Sequence, residues 1–454
     1  MKDGTVARTW CVVGGGLLGL TVAHRLAQAG QQVTLLEAAP ELGGLASAWQ
    51  VGDVTWDRYY HVIMLSDQHL RRLLTEFDLE SGIDWKTTRT GFFTGSGLYN
   101  LNNAFDYLKF PALGLIDKIR LGLTIVYMGR IQDGRHLERV PLADWLTKLS
   151  GRRVFEQLWR PLLAAKLGDA YRKTSASFIW SYARRFYQAR QGAQKTEMFG
   201  YVPGGYARIL ERFGERLAGE GVTIRTGHPV ERIRRQDGRF EITTPNGPLT
   251  ADRVVVTSAA PLAATMCEGL TADETARLQG VTYNGVICAS LLLNRPLGGY
   301  YLTYITDQSI PFTTIIEMSS LVDASRNLQG RTLVYLPRYV TGDDPFWQLS
   351  DAEIEQRFLE GLRRIYPDVQ PDHIAAFRIA RARQVYAVTT LGYSDRLPPM
   401  VTSVPGLAVV NSAHIVNASL AVNETVALAE SALPKLLAMD AEAAGMPPAG
   451  RAAA

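Results

Sequence analysis

Trp10-Cys11-Val12-Val13-Gly14-Gly15-Gly16-Leu17-Leu18-Gly19 is the stretch that decides the fold. Residues 10–13 are a short apolar run without helical spacing, and it ends in a glycine turn. Residues 20–29 then read as a helix stopped by Gly30, and Gln32 to Leu36 as a second apolar strand. Glu37 stands at the end of that strand, 23 residues after Gly14, the spacing expected of an acid that binds a ribose. Strand, turn, helix, strand and acid together describe a dinucleotide-binding unit. Gly14 permits the tight turn, Gly16 lets the backbone approach a pyrophosphate, and Gly19 lets the helix pack closely on the strand. The first amides of the helix, those of Leu17 and Leu18, face the phosphates, whose charge the helix dipole stabilises. Glu37 can accept both hydroxyls of an adenosine ribose and would repel a 2′-phosphate, which disfavours NADP.

The residues after Glu37 choose the dinucleotide. Ala38-Ala39-Pro40-Glu41-Leu42-Gly43-Gly44-Leu45-Ala46-Ser47 resembles the extended flavin fingerprint of the amine oxidase superfamily, which includes protoporphyrinogen oxidases, phytoene desaturases and UDP-galactopyranose mutases. The resemblance implies FAD, with Gly43 and Gly44 beneath the pyrophosphate and ribityl chain and Ala38 and Leu45 beside them. Three further segments match in the same order. Pro203-Gly204-Gly205-Tyr206 precedes a helix-like run, and the main chain of Val230 is the candidate for the adenine contact. Residues 240–244, the turn Asn246-Gly247 and residues 252–257 read as strands with hairpin chemistry, leading to Ser258, another expected cofactor contact. Residues 406–411 form a last apolar strand. Residues 423–436 read as a closing helix, with Asn423 or Ser419 near its cap and Val422 expected at the flavin. One departure is Asn411-Ser412, which stands where relatives carry Gly-Asp; neither residue is an acid, though both can bond a ribityl hydroxyl.

The implied fold class is α/β: a Rossmann-like FAD-binding domain, glutathione reductase-like with three layers (ββα), and an inserted mixed α+β substrate domain. The FAD domain is expected from residues 1–70, 200–285 and 386–440, the substrate domain from 71–199 and 286–385, and a flexible tail from 441–454. Length and composition agree. At 454 residues the chain exceeds one core, and 46% hydrophobic with 20% charged residues is the profile of a globular protein. Three widely spaced cysteines give no disulfide or metal pattern, so a cytoplasmic, reduced setting without a bound metal is expected. The apolar stretch from Cys11 to Ala23 is broken by glycines and reads as core, not as a leader. A net charge of +4 gives no reason to expect nucleic acid. Residues 105–128 are rich in apolar side chains and are expected to pack in the core as a helix pair; the alternative is a peripheral membrane contact. Oligomeric state is left open.

Candidate chemistry is concentrated in two places. Asp57-Arg58-Tyr59-Tyr60-His61 follows the glycine pair, where the resemblance turns the chain toward flavin and substrate. His61 there could orient substrate or shuttle a proton, with Tyr60 beside it; Tyr300, Tyr301, Arg338, Tyr393 and His414 are weaker candidates. Residues 151–200 hold ten Lys and Arg against three acids, among them Arg160, and either attract an anionic substrate or form a solvated helical face. The leading functional reading is an FAD-dependent oxidase, dehydrogenase or desaturase taking hydride from a bulky organic substrate, anionic or lipid-like. The alternatives are a redox-neutral sugar mutase of the UDP-galactopyranose mutase type and a flavin-bound subunit without turnover.

Overall fold

The computed structural model describes residues 8–443 apart from Asn103, Ala112 and residues 190–197; of the tail expected at 441–454, residues 444–454 lie outside the described residues. The organising element is a five-stranded parallel sheet in the order Thr223–Arg225, Gln32–Leu36, Thr9–Val13, Arg253–Val256, Leu407–Val409. The inner strands are apolar on both faces, as a parallel sheet covered on both sides requires. Alternate side chains sort by face. Trp10, Val12, Leu35, Val255 and Ala408 enter one buried cluster with the helices Leu17–Gln28, Gly205–Gly219 and Val422–Ala443. Cys11, Val13, Leu36, Val254, Val256 and Val409 enter a second with Ile233, Phe240 and Ile242 of an antiparallel three-stranded meander. The result is a meander, a sheet and a helical layer, the three-layer α/β arrangement expected.

Two details differ from the sequence reading. The hairpin beyond Asn246-Gly247 is closed by Leu249–Ala251, and Arg253–Val256 leaves it to lie between the first and last strands of the main sheet. A run of four buried residues satisfies both sides of that sheet, which a half-exposed hairpin strand would not. Helix Gln68–Glu76, which spans the boundary expected at residue 70, packs Leu70, Leu73 and Leu74 into the same cluster as Leu20 and Leu26.

A second sheet of seven strands is built from Thr90–Thr94, Gly97–Asn100, Leu302–Ile305, Thr314–Glu317, Thr332–Val340, Tyr283–Leu293 and Ile374–Ala387. Tyr283–Leu293, buried along its whole length, lies between the edge strand Ile374–Ala387 and Thr332–Val340. Helices between Leu115 and Ala189 flank it, and Tyr386 and Val388 join their core. Cys11, Cys267 and Cys288 are buried and unpaired. Among the described residues no helix is long and apolar enough to cross a membrane, and no His, Cys, Asp and Glu group is placed to hold a metal.

Candidate functional site

The turn at Gly14 is held by its amide donating to the Leu36 carbonyl at 2.8 Å. Its φ of +110° suits only glycine, and a Cβ would stand 2.5 Å from Thr257 Oγ1. A Cβ on Gly19 would come within 1.9 Å of the Gly14 carbonyl oxygen, so helix and turn meet only because both residues lack side chains. Around Gly16, by contrast, the space is open. Gly16 is the N-cap of helix Leu17–Gln28 and supplies no side-chain cap, leaving the amides of Leu17 and Leu18 without a capping side chain.

The second glycine pair lies against the first turn. Gly43 donates to the Gly15 carbonyl at 2.8 Å and pairs with Gly16 as an isolated bridge. Gly44 has φ +56°, and its Cβ would sit 3.3 Å from Gly16 Cα. Leu45 follows in the short turn Gly44–Ala46, and Ser47 Oγ is buried without a protein partner. Glu37 closes the cradle: Oε2 accepts from the Gly15 amide at 2.5 Å and Oε1 from the Ala39 amide at 2.7 Å, while Ala38 stays exposed. The chain at 227–228 runs beside it, the His228 amide donating to the Glu37 carbonyl at 2.8 Å and the Gly227 amide to the Ala39 carbonyl at 2.9 Å. Val230 follows, half-buried against the meander.

On the other side of the turn, Ser258 follows Thr257, which bonds the Val13 carbonyl, and Ser258 Oγ has no protein partner. Asn411 is buried; its Oδ1 accepts from the Ala413 amide at 3.1 Å, its Nδ2 is unpartnered, and Ser412 opens the turn Ser412–His414. The last helix begins at Val422. Neither residue expected near its cap serves there: Asn423 turns to accept from the amides of His69 at 2.9 Å and Leu70 at 3.2 Å, at the start of helix Gln68–Glu76, and Ser419 Oγ is unpartnered. Asn423 already lies inside its own helix, so its oxygen is free to serve a neighbour. Open space at Gly16, uncapped helix amides, an adjoining glycine pair and a carboxylate at the strand end make a cradle that fits a dinucleotide diphosphate.

Beyond the cradle lies a cluster of aromatic and un-ionised groups. Asp57 is the last residue of strand Val54–Asp57, 2% exposed, and burial pushes its carboxyl up to about 8 against the Tyr206 amide, which donates to Oδ1 at 2.8 Å. That approach depends on Gly205: φ is +67°, and a Cβ would lie 2.8 Å from the same oxygen. Tyr335 donates its hydroxyl to the Asp57 carbonyl. His61 packs on Tyr206 with ring centroids 4.8 Å apart and directs Nδ1 at the Tyr59 carbonyl, 3.0 Å away. Burial depresses its pKa to about 4, so the ring is neutral at physiological pH and Nε2 is left as an acceptor. A cavity of about 10 Å3, room for one water, is lined by Asp57, His61, Gly205 and Tyr206. Tyr60 shares a 2.6 Å hydrogen bond with Tyr339, and burial holds the Tyr60 phenol well above its ordinary pKa.

The basic segment does not act as one face. Arg160 pairs with Glu156 at 2.9 Å, and Arg172 lies 3.7 Å from Asp169, each within its own helical stretch. Arg185 turns inward to Asp67 at 3.1 Å. Lys166 enters a cage of rings, its Nζ 4.6 Å from the centroid of Tyr339, 4.7 Å from Tyr182 and 5.7 Å from Tyr386. Burial opposes the ammonium there, but the surrounding tyrosines hold its pKa above the ordinary value. In the sequence Lys166 is one cation among many, nothing marks Tyr182, Tyr339 or Tyr386, and Tyr206 stands out only as the end of the Pro203-Gly204-Gly205-Tyr206 segment, not as a site residue. No spacing links these residues, which come from four separate segments. The weaker candidates serve packing: Tyr393 bonds the Ala413 carbonyl, His414 is buried against the Pro398 and Asn411 carbonyls, Arg338 pairs with Asp344, Tyr301 is core, and Tyr300 lies under Arg89.

The family model described as flavin containing amine oxidoreductase matches residues 19–421. The chain belongs to that family. Its cofactor is FAD, and the chain is an oxidoreductase. Zeta-carotene desaturase of a Synechocystis species is 22% identical over 432 residues, covering 82% of this chain and 86% of that protein. Carotenoid phi-ring synthase of Streptomyces griseus is 27% identical over 269 residues, 54% of this chain, and the chain spans only 51% of that relative's length. Among solved structures, an oxidoreductase from Methanosarcina mazei superposes with a TM-score of 0.72 at 18% identity, covering 94% of this chain and 100% of the other, a likeness of fold.

Proposed function

We propose that this flavin oxidoreductase dehydrogenates a bulky, apolar substrate of polyene type. The observation that carries the reading is the closed lining around His61: the Tyr60 and Tyr339 hydroxyls bond each other at 2.6 Å, His61 packs on Tyr206 and bonds the Tyr59 carbonyl, and Asp57 is 2% exposed, burial pushing its carboxyl up to about 8 and the His61 ring down to about 4. Such a set suits a hydrocarbon, and the one buried cation beside it, Lys166, is enclosed by the rings of Tyr182, Tyr339 and Tyr386. The diversion of Arg160, Arg172 and Arg185 into ion pairs weighs against an anionic substrate. Kinship with a zeta-carotene desaturase over most of both chains agrees with it.

In this reading Gly14, Gly16 and Gly19 with the amides of Leu17 and Leu18 receive the diphosphate. Glu37 takes the ribose beside Ala38, and Val230 meets the adenine. Gly43, Gly44 and Leu45 pass under the ribityl chain, and Ser258, Asn411, Ser412 and Val422 complete the flavin end. The bound flavin supplies a hydride acceptor, so the protein's task is to hold a C–H bond near it and exclude water. Tyr60, Tyr206 and Tyr339 form apolar wall, their hydroxyls turned to one another or left within the protein. His61, neutral and fixed by the Tyr59 carbonyl, presents Nε2 to accept the proton that leaves the adjoining carbon.

Anaerobic addition of a polyene such as phytoene or zeta-carotene to the yellow protein should bleach the flavin band and introduce one new double bond into the polyene per flavin reduced. No bleaching by any polyene, with turnover of a UDP-sugar only after dithionite reduction, would replace this reading by the redox-neutral one.

A further inference from the structure

Helix Leu115–Arg130 carries its hydrophobicity on the wrong side for folding. The stripe facing the protein is Lys118, Leu121, Thr124 and Met128, two of them polar. The outward face holds Leu115, Ile116, Ile119 and Leu123, exposed by 65, 74, 55 and 65%, and continues through Ile125, Val126 and Tyr127. Of nine large apolar side chains exposed among the described residues, seven belong to this helix. The core packing expected of residues 105–128 is therefore corrected for this helix: its apolar residues outnumber the positions a single buried stripe offers, and the excess lies outside.

The polar surroundings of this face are cationic. Arg120 and Arg130 are exposed on the helix, whose single acid, Asp117, is 16% exposed and faces Arg153 at 3.5 Å. Arg152 and Arg153 stand exposed on the short helix Arg152–Val154, which packs against this one. At its far end Tyr127 meets Trp145, ring centroids 6.4 Å apart, the kind of amphipathic pair that settles at a lipid–water boundary.

We propose that helix Leu115–Arg130 docks the protein on an anionic lipid surface, lying in the plane of the membrane with Ile116, Ile119 and Leu123 among the acyl chains and Arg120 and Arg130 on the phosphates. A single convex helix of 16 residues is about 24 Å long and about 10 Å wide. Two copies pairing through it would oppose arginines with no acid to answer them. A lipid surface needs no matching relief, supplies phosphate for the cations, and accepts a helix to a depth of about 5–10 Å. The docking is independent of the substrate reading and would hold for a flavin enzyme of any specificity.

The test uses the FAD-loaded full chain and flotation with phosphatidylcholine vesicles, with and without phosphatidylglycerol at roughly a third of the lipid, enough to give the surface a negative potential. The native protein should float with the anionic vesicles and at least about tenfold less with neutral ones. Ile116→Glu/Leu123→Glu should lose at least about tenfold in partition, and the milder I116S/L123S several-fold. Both should keep their flavin spectrum and melting temperature, because the altered side chains touch solvent. R120E/R130E should erase the preference for anionic lipid. Native protein that stays with the aqueous fraction at millimolar lipid, or a double variant that floats as well as the native chain, overturns the proposal. So does a native dimer that the double variant converts to monomer without any flotation, which would assign the face to a second copy.

Discussion

Asp57 offers a measurement that tests the electrostatics of the site directly. Its carboxyl titrates near 8 in the folded protein against an ordinary value of 3.8. Between those values the native state keeps a proton that the unfolded chain has released. Its share of stability is therefore fully present below about pH 4 and is lost as pH rises toward 8. Each pH unit in that window is worth about 1.4 kcal/mol, so by pH 7 the ceiling is about 4 kcal/mol, and local relaxation and water entry should reduce it to roughly 2. Asp57→Asn keeps the oxygen that accepts from the Tyr206 amide at 2.8 Å and removes the ionisation. Urea denaturation of both FAD-saturated proteins should give nearly equal stability at about pH 4.5, with the Asp57→Asn variant the more stable by about 2 kcal/mol at about pH 7. A difference that stays constant between those two pH values would refute the assignment of a buried, protonated carboxyl.

Glu37→Gln weakens the acceptor for the Gly15 amide and any ribose held beside it, and should lower FAD affinity by about ten- to a hundredfold in calorimetric titration of the apoprotein, the range of a charge-assisted hydrogen bond. Gly44→Ala, at φ +56° and 3.3 Å from Gly16, should release flavin into the ultrafiltrate at concentrations where native protein retains it, with affinity down by about tenfold. His61 titrates near 4, so the pH profile of kcat/KM between about 5.5 and about 7.5 should lack an inflection from this group; an inflection near the ordinary value of 6.5 that vanishes in His61→Gln would count against a neutral ring. Tyr60→Phe deletes the 2.6 Å bond to Tyr339 and should cost about 1 kcal/mol of stability, read from denaturation midpoints, while the flavin spectrum is unchanged.

The cradle is legible in the sequence because its chemistry is local. A turn that needs φ near +110°, a helix that needs a missing Cβ to approach it, and an acid at a strand end all fall within residues 9–44, and each requirement selects a residue type. The last strand is legible for the same reason, being an apolar run too short for anything but a buried strand. The His61 cluster is legible only in part. Tyr60 and His61 stand out beside Asp57, but their partners Tyr206, Tyr335 and Tyr339 come from segments up to 279 residues away, joined by tertiary packing alone. The cap of the terminal helix is misread because an asparagine beside an apolar run looks the same whether it serves its own helix or a neighbour's. The outward face of Leu115–Arg130 is legible only as the second of two alternatives, because hydropathy counts apolar residues without saying which side the rest of the protein will occupy.

The strand order of the main sheet has a consequence for biosynthesis. The first strand emerges from the ribosome with only Gln32–Leu36 and, much later, Thr223–Arg225 to extend that side; its other flank waits for Arg253–Val256. That newcomer in turn displays Val254, Val255 and Val256 along an open edge until Leu407–Val409 has been translated. Between the synthesis of residues 256 and 407 the nascent chain thus carries a strand paired on one edge only, an invitation to cross-pair with its neighbours on a polysome. Ribosomes stalled before the codon for Gly406 should accumulate aggregated product, and those stalled past the end of the sheet should not.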